Sequence, residues 1–517
     1  MTNDLALSRP HLPGDQTTVV ERGAPPGVSL DSFGGPVRIK WDEGASLTPL
    51  GQLPFFVDFL KTAGLFDAFI ADCPLRYTSG NAPGKRDVFG TAMLSILSGH
   101  KHYAHIAALR GDGVLPELLD MKKIVSEDSV RRGFAAMGEA ESSTWLQGHL
   151  DHCTAALLAE PWVLDMDTTV KPLYGHQQGA VAGYNPKKPG RPSHTYHTFA
   201  MAGTRLIIDV DVRAGNQHAS NYSAPGLWAW FDRTPRDQWP ALVRGDAGFG
   251  NEAIMREAEQ RDLPYLFKLR LTSNVKRMIA RLSPRDEWVD AGQGWGARES
   301  EVRLEGWGRQ RRVIVLRRPV TGGLATSAKN QHGQQQLCFA DIAPGGELYE
   351  YQVLATTLEA PIESFGQLYR DRGDDENIFD ELKNQWGWGG FTTHDLARCR
   401  LSARLVALIY NWWNIFSRLA EPDRHLEAVT SRPLLLHAVA SRTKHARQTT
   451  ITIASSHAKA GHVARALRAV ATFLRRLVES AEQLKRGQIW TAILARAFQK
   501  FLEGRPLRPP PRLVAPA

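Results

Sequence analysis

Two aspartates stand where a core strand would need Val or Leu: Asp165 and Asp167 close the apolar run PWVLDMD. Asp246 follows the strand-like WPALVRG and precedes AGFG, the turn into a helix. A carboxylate at a strand end points out over the edge of a sheet, a usual place for an α/β ligand site. The segment YRDRGDDENIFDELKNQWG adds Tyr369, Arg372, Glu376 and Lys383. On one continuous helix these four project at roughly 0°, 300°, 340° and 320°, a polar stripe about 60° wide. Ile378, Phe379, Leu382 and Trp386 form the adjoining apolar face. Gly373, Asp374 and Asp375 could instead start a new helix, leaving Tyr369 and Arg372 on the element before it.

Carboxylates that share a site repel one another and cluster only when a cation compensates them. Hard oxygen donors without paired His or Cys favour Mg²⁺ or Mn²⁺ over zinc. Two such ions about 4 Å apart activate a water or a 3′-hydroxyl and stabilise the leaving oxygen of a phosphodiester displacement. Tyr369, Arg372 and Lys383 would hold the phosphate backbone beside the scissile bond. The chemistry is cleavage or transfer of nucleic-acid strands.

The elements that must position these groups can be read along the chain. Residues 1–45 read as a flexible leader rich in Pro, Gly and polar residues. Residues 46–157 read as helical, with Leu53, Phe56, Val57 and Leu60 at helical spacing. Within them SEDSVRRGFAAM offers Ser126 or Asp128 as a helix N-cap and places Arg131 and Arg132 in the first turns, as a small DNA-binding helix would. After Pro161 the period changes: WVLDMDTTV, HTYHTFAMA and RLIIDVDVRA read as three successive strands, followed by alternating helix and strand through LPYLFKLRL. That order predicts an α/β fold with helices on both faces of the sheet. Residues 272–355 read as a β-strand insertion and 356–425 as a return to the α/β domain. The remainder, 426–517, reads as a basic helical region and tail, with Val463, Leu467, Val470 and Leu474 on one side of an amphipathic stretch at 458–502.

Net charge points to the partner. The chain of 517 residues carries +9, and residues 391–517 hold 21 basic and 7 acidic residues, so the positive excess lies at the C-terminal end. A polyanion is the expected ligand. The loop GYNPKKPGRPSH adds Lys187, Lys188 and Arg191 just after the first acidic strand. His194 and His197 fall on opposite faces of a strand and read as structural, as do Asn411, Trp412 and Trp413 on a later helix. Cys73, Cys153, Cys338 and Cys399 form no CxxC pair, which disfavours a zinc ribbon or a disulfide scaffold and suits a cytoplasmic protein.

The arrangement of Asp167, Asp246 and Glu376, with Y-x2-R-x3-E-x6-K met at Tyr369, Arg372, Glu376 and Lys383, resembles the DDE transposases of bacterial insertion sequences. The resemblance implies an RNase H-like catalytic domain (158–271 and 356–425) interrupted by the β insertion and flanked by a helical DNA-binding domain and the basic C-terminal region. It implies that Asp167, Asp246 and Glu376 bind two Mg²⁺ ions, with Mn²⁺ able to substitute. Asp167 is preferred to Asp165 because Thr168 and Thr169 follow it, as small hydroxyl residues follow the first Asp in similar transposases. Arg372 and Lys383 would contact transposon-end phosphates with support from Tyr369. Trp288, Trp295 and Trp307 are candidates to hold an unstacked base. Double-stranded DNA, as terminal inverted repeats and target, is the implied partner, in a homodimeric synaptic complex near the bacterial nucleoid. The amphipathic 458–502 segment could supply the dimer interface. A domesticated DNA-binding derivative and another nuclease of the same fold are the alternatives.

Overall fold

The computed structural model describes residues 27–507 except 43, 186–187, 218, 283–286, 321–327, 330–334, 337–339, 343–347, 456 and 481–484. Lys187 and Cys338 therefore lie outside the described residues. The chain divides into two units, 1–46 and 47–517. In the first, Val28–Ser32 pairs antiparallel with Gly35–Ile39. The leader expected there thus contains a hairpin. Its signal is the alternating VSLDS and PVRI around Gly34-Gly35, with Gly35 at φ 106°.

The second unit is built on one sheet. Helix α1 (Leu53–Thr62) and helix α2 (Glu127–Ala135) precede it. Strands β1 (Val163–Pro172), β2 (Pro192–Met201) and β3 (Leu206–Ala214) form an antiparallel meander. Strands β4 (Leu242–Gly245) and β5 (Tyr265–Lys268) follow, β4 parallel to β1 and β5 parallel to β4. Strands β6 (Gly296–Val302), β7 (Arg311–Pro319) and β8 (Leu348–Thr356) extend the same sheet, because β8 pairs antiparallel with β5. The order is β6-β7-β8-β5-β4-β1-β2-β3. Along β7 the side chains alternate: Val313 and Val315 enter the main core, Ile314 and Leu316 a second core with Trp295, Leu354 and Phe365.

The insertion does not begin with strand. Ser273–Arg281 is a helix capped by Thr272, and its buried Val275, Met278 and Ile279 have helical spacing. After β8 come α3 (Ser364–Arg370), α4 (Gly373–Asn384), the 25-residue α5 (Leu396–Ala420) and α6 (Ala460–Glu479). Helix α5 is buried nearly all round, and its Asn411 acts as a strand edge for β3. The Asn411 amide accepts from the Ile207 N–H at 2.9 Å and donates to the Ile207 carbonyl at 2.8 Å. Asn411→Leu leaves both backbone groups unpaired and is expected to cost about 2–4 kcal/mol. Urea unfolding measures this, and an unchanged midpoint would exclude the role.

The helical segment before β1 is not a separate body. Phe56, Val130, Phe134 and Leu150 belong to the core that also holds β1, α5 and α6. The α6 stripe is likewise occupied: Val463, Leu467, Val470 and Leu474 are buried, with α6 packed on α1 and α5. The apolar stripe of α6, within the 458–502 segment read as a candidate dimer interface, is therefore spent inside the chain. Amphipathicity shows that a face is covered, and here the same chain covers it. Arg465, Arg468, Arg475 and Arg476 remain on the exposed side. Among the described residues no helix is long and apolar enough to cross a membrane.

Candidate functional site

Parallel pairing of β1 with β4 sets Asp165 beside Arg244 and Met166 beside Gly245, so Asp167 and Asp246 come next on adjacent strands. The two aspartates of β1 have different surroundings. Asp165 is buried and receives Arg244 at both oxygens, Nε to Oδ1 and Nη2 to Oδ2, each at 2.6 Å. Asp167 is 14% exposed; its Oδ1 accepts from the Thr168 N–H at 2.6 Å and its Oδ2 from Arg372 Nη2 at 2.7 Å. Arg244 also donates through Nη1 to the Leu368 carbonyl at 2.5 Å, which fixes the end of α3 over the strand ends. Asp246 starts the turn into the next helix, its Oδ1 accepting from the Gly248 N–H at 2.8 Å.

The segment that follows is two helices. Tyr369 lies in α3, Arg372 occupies the N-cap of α4, and Glu376 is exposed in the first turn and a half of α4. Helix α4 is anchored at both ends. Asp374 accepts from Arg205 Nε at 3.0 Å. The buried Glu381 accepts from Trp386 Nε1 at 3.0 Å and the Ala428 N–H at 2.9 Å, and is bonded to His425 Nε2 at 2.7 Å. Lys383 is two turns beyond Glu376, about 10 Å further along the helix axis.

These placements bring Asp167, Asp246, Glu376, Tyr369 and Arg372 into one electrostatic cluster. Burial pushes the Asp167 carboxyl up to about 7; Arg372 opposes the shift, and the charges of Asp246 and Glu376 add to it. Burial also pushes the Tyr369 hydroxyl up to about 12, with Arg372 opposing and Asp246, Asp167 and Glu376 adding. The donor chemistry, three carboxylates of which two add to the cost of ionising Asp167, fits a hard divalent cation. Among the described residues, however, no three His, Cys, Asp or Glu side chains converge closely enough to hold an ion. The compensating charge beside Asp167 is the Arg372 guanidinium.

The other candidates scatter. Lys188 donates from Nζ to the Tyr174 hydroxyl, and Lys188 and Arg191 stand 4.9 and 4.8 Å from the Tyr174 ring centroid. Tyr174 itself is 68% exposed and carries no sequence signal beyond following the acidic strand. On α2, Arg131 lies 5.3 Å from the Tyr103 ring centroid, while Arg132 is exposed with its Nε on the Asp128 carbonyl. Trp295 and Trp307 are buried in the two cores. Trp288 is half-buried beneath Arg317, whose guanidinium is 4.1 Å from its ring centroid and 4.7 Å from that of Tyr349. His194 and His197 are buried; His194 is bonded to the Gln178 carbonyl, and His197 to Thr195 and Ser223. Sequence reasoning missed Arg244. Its signal is the pattern R-x-D on β4 set against D-x-D on β1, two strands that pair in register.

No curated protein matches the sequence. Among solved structures, a cryo-EM piggyBac transposase synaptic complex with hairpin DNA aligns with a TM-score of 0.35 and 11% identity, covering 91% of this chain and 87% of that one. The family model for the transposase DDE domain, group 1, matches residues 77–476. That span holds every carboxylate of the cluster and the whole sheet that carries it, and the chain belongs to this family of DDE transposases.

Proposed function

We propose that the protein is a DNA transposase that cuts and joins the ends of an insertion sequence with divalent metal ions. The observation that carries this reading is the pairing of β1 with β4, which sets Asp167 and Asp246 side by side while Glu376 acts electrostatically on the same carboxyl. The strand order β3-β2-β1-β4-β5, with three antiparallel strands followed by two that run parallel to β1, supports an RNase H-like catalytic domain.

Asp167, Asp246 and Glu376 would hold the ions, Mg²⁺ or Mn²⁺. Such ions, when bound, activate a water or 3′-hydroxyl and stabilise the leaving oxygen. The protein's own groups do the positioning. The Thr168 and Gly248 N–H groups each orient one carboxylate oxygen. The Arg205–Asp374 pair and the Glu381 network fix the helix that bears Glu376. Arg372 puts a positive charge where the DNA backbone must approach three negative ones. The exposed arginines of α6 and the Lys188–Arg191 loop extend that field to the duplex. Joining two ends calls for two copies of the chain in the synaptic complex.

The test is a cleavage and joining reaction on duplexes carrying the inverted repeats that flank the coding region, in Mg²⁺. Cut and joined products are expected from the wild type and are expected to vanish with chelator or with Glu376→Gln. Products that persist in chelator would sink the metal-dependent reading, and products from Glu376→Gln would sink the site.

A further inference from the structure

A second polar cleft lies outside the carboxylate cluster. It has a volume of about 370 Å³ and is lined by Arg131, His176, Gln177, Thr392, Thr393, His394 and Arg398. Three separate stretches meet there: α2, the loop after β1, and the entry to α5. Two hydrogen bonds tie the last two together, from the Gln178 N–H to the His394 carbonyl at 2.8 Å and from the Leu396 N–H to Gln178 Oε1 at 3.2 Å. The walls are preformed by the fold.

The lining is chemically one-sided. It presents two guanidinium groups, two imidazoles, two hydroxyls and an amide, and no carboxylate. Each arginine has an acidic neighbour outside the lining. Arg398 Nε is 3.1 Å from Asp395, and Arg131 Nη1 is 3.9 Å from Asp128. The Arg398–Asp395 contact steadies that side chain, and both guanidinium groups keep several N–H donors for a ligand. A small-molecule pocket is walled mostly by apolar side chains, whereas every side chain that lines this cleft carries a polar or charged group, and the cleft is open. An oxyanion with many acceptor oxygens suits it. The loop that supplies His176 also carries Tyr174, with Lys188 and Arg191 against its ring, so basic groups continue from the cleft along the β1–β2 connection.

We propose that this cleft is a phosphodiester-binding site, in which Arg131 and Arg398 each hold a DNA backbone phosphate and His176, His394, Thr392 and Thr393 add hydrogen bonds. It clamps the duplex between the helical segment before the sheet and the start of α5, away from the scissile bond. The proposal rests on the transposase reading and extends it to a residue set that gives affinity without base specificity.

The experiment is fluorescence anisotropy of a mixed-sequence 30-base-pair duplex titrated with the full chain over a range of NaCl concentrations. For the wild type, log K falls linearly with log salt concentration, with a slope set by the number of phosphates contacted. Arg131→Gln/Arg398→Gln should make that slope shallower by about two and weaken binding about tenfold or more near physiological salt. Lys61→Gln/Arg256→Gln removes the same charge from exposed sites elsewhere and should leave the slope near that of the wild type. Gln177→Glu, nearly isosteric, puts a negative charge into the cleft and should weaken binding, with thermal unfolding measured alongside to separate the loss of affinity from any loss of stability. That variant keeps the result readable if the double arginine variant folds poorly. An unchanged slope and affinity in both cleft variants overturns the site while leaving the transposase reading intact. An equal fall in the Lys61/Arg256 control also overturns it, as a general charge effect. A wild type that does not bind duplex DNA overturns the cleft and the transposase reading together.

Discussion

Asp246→Asn is expected to slow strand cleavage by about a thousandfold or more, some 4 kcal/mol of transition-state stabilisation, while binding duplex DNA normally. The substitution isolates charge from shape. An asparagine in the same rotamer keeps an oxygen for the Gly248 N–H, now 2.8 Å from Asp246 Oδ1, so the turn into the following helix survives. What disappears is one of the negative charges that act on Asp167. With it goes part of the pressure that raises the Asp167 carboxyl to about 7. The carboxylate cluster is weakened electrostatically and left intact mechanically. Single-turnover cleavage and anisotropy on the same duplex separate the two effects. A variant retaining more than about a tenth of the wild-type rate would show that Asp246 is not part of the reacting centre.

The second large effect concerns stability. Arg244→Ala removes the partner of Asp165 and is expected to cost about 3–5 kcal/mol, because truncating one member of a buried pair strands the other charge. Arg244 and Asp165 are 3% and 1% exposed, and the contact is bidentate at 2.6 Å. The loss should depend on pH in a fixed direction. Burial already holds the Asp165 carboxyl above its ordinary value, and Arg244 opposes that shift. Without Arg244 the folded carboxyl takes up a proton more readily than the unfolded one. The deficit is then greatest at neutral and alkaline pH and shrinks as pH falls towards the carboxylate range. Urea unfolding at pH 5 and pH 8 checks this. An equal loss at both values would mean that the arginine acts through packing and its Leu368 contact alone. Asp165→Ala is expected to destabilise as well, since it strands Arg244, whereas Asp246→Asn is not.

That contrast marks the limit of what was legible in the chain. The three strands of the meander, the α/β alternation after them and the placement of Asp246 at a strand end all follow from period-2 runs broken by acidic residues. Asp165 and Asp167 share a strand face, so strand period alone does not separate them; the following Thr168 and Thr169 favour Asp167, and the partner that sets Asp165 apart is 79 residues away. The break at Arg372–Gly373 stays open in the sequence for a different reason. Two short helices in near succession preserve much of the spacing of one, and glycine is as compatible with a helix start as with a tolerated interior position. The internal covering of α6 and the shared core of the helices before β1 are long-range facts that no single amphipathic stripe encodes. The hairpin at Val28–Ser32 and Gly35–Ile39 has an alternating pattern that its proline- and glycine-rich surroundings mask.

Because β8 pairs with β5, the inserted strands are hydrogen-bonded into the sheet that carries Asp167 and Asp246. The sheet therefore works as a ruler. Strand β7 is four steps from β1, and at about 4.8 Å per step it stands roughly 19 Å away. The Trp288–Arg317–Tyr349 stack is thus held at a fixed distance from the Asp167–Asp246 strand ends by the hydrogen bonds of one sheet.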